Sequence, residues 1–149
     1  MQITIVKQDH SVRVPRQYLL KALKLFLKKL PKKDQKRCLQ KELTLVFVSK
    51  ASIQALNKQF RNKNKPTDVL SFDALEPDSL GELVFSAEVL SKQSKEHELT
   101  FRDELVYMLY HGVLHLCGYD HEDSAAEAKK MFAIQDKAFH DFLNWEGGS

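Results

Sequence analysis

Cysteine is scarce in this sequence, and long apolar runs are missing from it. Only Cys38 and Cys117 occur among the 149 residues, which is too few for a domain held together by disulfides. No segment approaches the roughly 20 apolar residues that a membrane-spanning helix needs. The N-terminus also lacks the basic start and apolar run of a secretory signal. We therefore expect a cytoplasmic protein with two free thiols and no membrane partner.

Internal repeats, low-complexity tracts and glycine- or serine-rich linkers are also missing from the chain. Its 149 residues fit one domain, residues 1–149, with one hydrophobic core. Hydrophobic residues make up 43% of the chain and charged residues 29%, a balance that excludes intrinsic disorder.

Hydrophobic periodicity predicts an α+β domain with about four strands and about five helices. In the second helix, which Ser49 caps, we expect Ile53, Leu56 and Phe60 to be buried. Strands are predicted at residues 2–6, 43–48, 69–72 and 80–85. Helices are predicted at residues 15–30, after Ser49, at 87–98, at 100–116 and after Ser124, where Thr100 and Ser124 open capping boxes.

The segment HGVLHLCGYDH, residues 111–121, carries the strongest chemical signal. His111 and His115 differ by only about 40° around a helix axis, so one helix edge offers two imidazoles to one ion. Gly118 allows a sharp turn, after which His121 can reach the same ion. A lone buried histidine is usually structural, whereas this combination predicts a metal site, and three neutral imidazoles suit zinc or its neighbours in the transition series.

A closed structural zinc site would need a fourth protein ligand, for which Cys117 is the nearest candidate. Around the helix, however, Cys117 lies about 160° from His115 and about 120° from His111, so we expect it to face away. Three ligands leave an open position for water, the arrangement of catalytic sites. Asp120 and Asp123 remain possible fourth ligands.

The residue after the first histidine is Gly112, where zinc proteases of the HExxH type carry a glutamate general base. The protease mechanism therefore has no obvious base in this segment, which argues against peptide hydrolysis.

Basic residues are concentrated in two places, although the formal net charge is only +3. Nine lysines and arginines fall between Lys21 and Lys41, where Asp34 is the one acidic residue. Such a cluster suits a polyanion such as RNA, and a solvated helix face is an equally good interpretation.

The second concentration of basic residues lies around Arg61, in the segment FRNKNKPTDVLSF, residues 60–72. Arg61 could make a forked contact with a phosphate, although this loop by itself also fits a solvated surface.

Together, the segments FRNKNKPTDVLSF, LGELVFS (residues 80–86) and HGVLHLCGYDH resemble the YbeY family of rRNA maturation factors. The resemblance covers most of the chain. It implies a single-strand-specific metallo-endoribonuclease that acts on ribosomal RNA precursors, notably at the 3′ end of small-subunit rRNA, and in ribosome quality control. The implied partners are single-stranded RNA, the ribosomal small subunit and its assembly factors. The implied fold is a small mixed sheet packed with helices, similar to that of the zincins.

By motif position, the resemblance implies that one Zn²⁺ is held by His111, His115 and His121. It also implies that Arg61 is the catalytically important arginine. Two positions depart from the family pattern. Glu82 stands where the family usually has aspartate, and Asp73 stands where it usually has proline.

Other functions and roles stay open at the level of sequence. The chain could be another zinc hydrolase, including a peptidase. It could also be a non-catalytic ribosome assembly factor in which the metal only braces the helix and the loop. The general acid or base has three candidates, Asp68, Glu82 and Asp120, each of which could equally be structural.

Overall fold

The computed structural model describes residues 1–148, with side-chain environments through Trp145, and contains four strands and six helices in that range. The strands are β1 (Gln2–Lys7), β2 (Glu42–Val48), β3 (Val69–Asp73) and β4 (Ser79–Ser86). The helices are α1 (Arg16–Lys29), α2 (Lys32–Cys38), α3 (Lys50–Arg61), α4 (Ala87–Glu96), α5 (Phe101–Leu116) and α6 (Ala125–Gly148). The expected α+β class is confirmed. Within the described range, none of these helices combines the length and the apolar character needed to span a membrane.

The four strands form one mixed sheet in the order β1-β2-β4-β3. Strands β1 and β4 both run parallel to β2, and β3 pairs antiparallel with β4 at the edge. Side chains alternate between the two faces of a strand. Leu83 and Phe85 of β4 therefore belong to the main core, whereas Val84 packs with Ile53 of α3 on the other face.

Helix α5 is buried on almost every side. It contacts α1, α4, α6, β3 and β4, and a helix in such a position needs apolar residues all around its axis rather than on one stripe. Its start follows the prediction, because Thr100 Oγ1 accepts a hydrogen bond from the Asp103 amide at 3.2 Å. The Asp103 carboxylate accepts the Tyr18 hydroxyl of α1. The start of α5 is thereby tied to α1.

Two features differ from the sequence expectation. Helix α2 was not predicted, because its sequence KKDQKRC has no apolar stripe and buries only Asp34 and Cys38. Phe60 was expected in the core but is 57% exposed. It lies in the last turn of α3, above the edge strand β3, where its ring packs edge-to-face on Phe72 with centroids 5.1 Å apart.

Helix α2 supports the turn that follows α5. The Tyr119 hydroxyl donates to Asp34 Oδ2 at 2.7 Å, which gives the buried carboxylate a partner. Cys38 Sγ lies 3.7 Å from Cys117 Sγ, and both cysteines are free thiols, as predicted. These contacts hold the backbone after α5 against a second element.

Gly112 allows α5 to approach β4 closely. A Cβ atom at this position would lie 2.6 Å from both Leu83 Cδ1 and Leu83 Cδ2, and both residues are buried. Glycine destabilises a helix interior by about 1 kcal/mol relative to alanine, so the close contact explains its presence. The same contact explains why a glutamate cannot occupy this position without displacing the core.

Gly112→Ala is expected to lower the free energy of unfolding by about 1–3 kcal/mol through overpacking against Leu83, although alanine is the better helix former. Chemical denaturation measures the change. Leu83→Ala alone should cost about 2–5 kcal/mol. The double variant should lose less than the sum of the two, because the smaller side chain makes room for the new methyl. Strict additivity would show that the two side chains do not compete for space.

Candidate metal centre

Three histidines converge where α5 ends and the following loop turns back. Their ring nitrogens all lie within 4.8 Å of one another, and His115 Nε2 is 3.1 Å from His111 Nε2. His111 and His115 are one turn apart on α5, and His121 comes from the loop, as the spacing predicted. In the described part of the chain, these three form the one group of histidine, cysteine or carboxylate side chains close enough to share an ion.

Gln135 of α6 fixes the orientation of the His111 ring. Gln135 Oε1 lies 2.9 Å from His111 Nδ1, and the Gln135 Nε2 group donates to the Tyr107 carbonyl at 3.3 Å. Because the amide nitrogen is engaged with a carbonyl, its oxygen faces the ring and accepts from Nδ1–H. The lone pair of His111 is then on Nε2, which points towards His115. Such support of a metal-ligating histidine is usual in metal sites.

Burial favours the neutral form of the two imidazoles on α5. Burial lowers the pKa of His111, and it lowers the pKa of His115 to about 4, with further lowering by His111 and His121. His121 Nδ1 is buried without a hydrogen-bond partner among the described residues, a situation that native proteins usually avoid. Three histidine nitrogens close to one another, with one buried ring nitrogen unsatisfied, fit a transition-metal ion.

The possible fourth ligands lie outside this group. Cys117 packs against Cys38, away from the histidines, as its angular position predicted. Asp120 Oδ1 accepts a hydrogen bond from the Glu122 amide at 2.8 Å, which shapes the loop. Neither Asp120 nor Asp123 has a carboxylate oxygen within the group of nitrogens that could share the ion. Among the residues that the structure describes, three are therefore placed to act as ligands.

The histidines open into a cleft of about 750 Å³ whose lining includes Arg61. The Arg61 guanidinium pairs with the Glu122 carboxylate in the histidine loop, and Lys63 Nζ lies 3.6 Å from the same oxygen. These contacts lower the pKa of Glu122. The Arg61 and Glu122 side chains are 37% and 42% exposed, and an ion pair that is so exposed stabilises a protein by at most about 1 kcal/mol. An incoming anion could therefore replace Glu122 on Arg61.

The three acid–base candidates occupy different positions. Asp68 and Asp120 line the cleft. Glu82 is exposed on β4, between Gly81 and the inward-facing Leu83, so it lies on the opposite face of the sheet from α5. Asp68 Oδ1 already accepts the Val69 amide at 2.8 Å.

The basic residues of α1 and α2 form a surface separate from the cleft. Lys28, Lys29, Lys32 and Lys33 are all exposed, and we call these four side chains the lysine cluster. Asp34, the one acidic residue in this stretch, is buried beneath Tyr119 and is not exposed beside these lysines. Lys29 is the member with an anionic neighbour, Asp141 at 3.1 Å.

Two supporting residues were missed by sequence reasoning. Gln135 interrupts the apolar stripe of α6 between Met131 and Ala138, and a polar residue in such a stripe was the signal that could have found it. Glu122 carried no comparable signal, because acidic residues are common in exposed loops.

Comparisons with known proteins assign this arrangement to a family. The family profile described as Endoribonuclease YbeY matches residues 3–143. A protein of that name from Bdellovibrio bacteriovorus is 51% identical over 145 residues, covering 96% of each chain. Another from Thermodesulfovibrio yellowstonii is 32% identical over 150 residues, covering 92% of this chain and 94% of the relative.

The solved structures agree with the sequence comparison. The solution structure of a Thermotoga maritima protein superposes with a TM-score of 0.64 at 29% identity, covering 99% of this chain and 93% of that one. Because the family profile and the relatives match along nearly the whole length, this chain belongs to the YbeY family of endoribonucleases.

Proposed function

We propose that this chain is a zinc-dependent hydrolase that cleaves single-stranded RNA internally. The observation that carries the proposal is the convergence of three histidines in a cleft that also holds Arg61. The names of the relatives agree with an endonuclease acting on RNA. We place its action in the cytoplasm, on ribosomal RNA precursors and notably the 3′ end of small-subunit rRNA. Maturation and quality control of the ribosome would bring it to the small subunit and its assembly factors.

His111, His115 and His121 would hold one zinc ion. When bound, zinc supplies Lewis-acid chemistry, which activates water and offsets negative charge at a phosphate. Gln135 keeps the His111 proton on Nδ1 and so keeps the Nε2 lone pair available. Burial keeps His115 neutral for the same purpose. The metal site would therefore be pre-organised, and its side chains would not need to rearrange when substrate binds.

Arg61 would bind the phosphodiester at the scissile bond. It leaves Glu122 and presents two N–H groups to the phosphate oxygens, a geometry that suits a planar guanidinium. Donors positioned before the reaction stabilise charge that develops in the transition state. Asp68 and Asp120, which line the cleft, are the candidates for proton transfer.

The alternatives make different demands on the chain. A peptidase of the HExxH type needs a glutamate where Gly112 contacts Leu83, so that mechanism is disfavoured. A non-catalytic assembly factor would need the metal only as a brace between α5 and its loop.

The first prediction concerns the metal. Elemental analysis should find about one zinc per chain. His115→Ala should lose the metal and melt at a lower temperature, because the ion ties the loop to the helix. A chelator should lower the melting temperature of the unsubstituted protein and leave His115→Ala unchanged. The control is His10→Ala, since His10 is exposed and distant in sequence. A metal-free preparation that is folded and fully active would contradict the proposal.

The second prediction concerns Arg61. Arg61→Ala should cleave RNA roughly 100-fold more slowly or worse, the loss typical of one transition-state donor. Arg61→Lys should recover little, because an ammonium cannot replace a guanidinium fork. Metal content and melting temperature should stay unchanged in both. Lys58→Ala, on the same helix, removes a comparable exposed charge and should retain activity. Normal cleavage by Arg61→Ala would remove this residue from the site.

The third prediction concerns the lysine cluster. If RNA contacts it, reversal of all four charges to glutamate should weaken binding. It should also flatten the dependence of affinity on salt, by roughly 0.7 in the log–log slope for each lost contact with a single strand. A matched control reverses four other exposed charges, Lys50, Lys92, Lys95 and Lys129. Equal effects of the two variants would mean that only net charge matters and that the cluster is a solvated surface.

A further inference from the structure

Glu104 is a fully buried carboxylate beside the cleft. Its side chain is 0% exposed, and it lies in the first turn of α5. Its two oxygens contact two residues near the end of α4. Oε1 is 2.8 Å from His97 Nδ1, and Oε2 accepts from Gln93 Nε2 at 3.0 Å. Both His97 and Gln93 line the same cleft as the three histidines.

Apolar side chains also join α4 to α5. Leu90 of α4 and Leu105 of α5 are both completely buried in the main core. Burying a carboxylate is costly unless its partners compensate, and an apolar pair of similar volume would join the helices at least as well. The arrangement therefore calls for a role besides holding two helices together.

The contact with Glu104 holds one edge of the His97 ring and leaves the opposite edge open to the cleft. Because Nδ1 lies against Glu104, Nε2 is on the far side of the ring. The His97 side chain is 50% exposed and lines the cleft. A ring that is held at one nitrogen and open at the other is pre-organised to contact a ligand, as when a carboxylate orients a functional imidazole.

The residue that holds His97 is well separated from His111 along α5. Glu104 precedes His111 by seven residues on α5, which is two helical turns or about 10 Å along the axis. A hydrogen bond spans only about 3 Å. A single RNA strand that passes the histidines and continues along the cleft would bring a neighbouring nucleotide to His97.

On these grounds, and resting on the proposed function, we propose that His97 contacts the sugar–phosphate backbone of a nucleotide adjacent to the scissile phosphate. Glu104 is the positioning residue that holds His97 in place. The pair thus forms a second subsite of the cleft, distinct from Arg61 and the histidine group, and it would favour substrates long enough to reach it.

The test measures how affinity depends on RNA length. Unlabelled oligoribonucleotides, extended by one nucleotide at a time at either end, compete with a fluorescent RNA substrate. In the unsubstituted protein, the inhibition constant should fall by about tenfold at the length that reaches His97. His97→Ala should lose this length-dependent step in the inhibition constant. The inhibition constants of the shorter competitors should not change. A single 2′-deoxy substitution at the responsive nucleotide then separates contact with the ribose hydroxyl, which it abolishes, from contact with the phosphate, which it leaves.

Glu104 variants separate positioning from stability. Glu104→Gln retains an acceptor for Nδ1 and should keep most of the step. Glu104→Leu keeps the buried volume and should lose the step as His97→Ala does, and the double variant His97→Ala/Glu104→Leu should be no worse than either. This inference would be overturned if His97→Ala kept the length-dependent fall in the inhibition constant, or if it changed the inhibition constant equally at all lengths. The proposed function would still stand in either case, provided that the unsubstituted protein cleaves RNA. Absence of cleavage by that protein would instead refute the proposed function.

Discussion

The contact between α5 and β4 at Gly112 is the constraint on which the site depends. Adjacent residues on a helix differ by about 100° around its axis, so seating Gly112 against Leu83 decides where every other side chain of α5 points. His111 and His115 are thereby directed into the cleft, and the apolar residues around them face the core. A helix buried on nearly every side cannot rotate without exposing that core. The orientation of these two candidate metal ligands is thus a consequence of packing.

The buried polar atoms on and beside this helix differ in whether they have a hydrogen-bond partner. The carboxylate of Glu104 and the Nδ1 atom of His111 each have a defined partner from α4 or α6. His121 Nδ1 has none among the described residues. A buried nitrogen without a partner costs about 1–3 kcal/mol, so a bound cation would contribute folding energy as well as chemistry. Stability and activity should therefore respond together to loss of the metal.

Sequence reasoning succeeded where the geometry is local. The four-residue spacing of His111 and His115, and the glycine before His121, predicted that the three rings meet, because helix periodicity and a sharp turn suffice to bring them together. Helix α2 escaped prediction because charged residues dominate it and tertiary contacts to Tyr119 hold it in place. Gln135, the partner of His111, and Glu104, the partner of His97, were also not predicted. The elements that meet at the cleft lie far apart in sequence. Secondary-structure propensity and hydrophobic periodicity carry no information about such tertiary contacts.

Charge placement explains how the cleft can attract RNA and remain stable without it. In the free protein, Glu122 of the histidine loop neutralises Arg61. A phosphodiester also carries one negative charge, so its exchange for Glu122 leaves the guanidinium equally balanced and requires little electrostatic reorganisation. The exchange is easy because the original pair is exposed and weak. The lysine cluster is a separate exposed surface. In the proposed function, attraction to the polyanion and recognition of one phosphate would fall to different parts of the molecule.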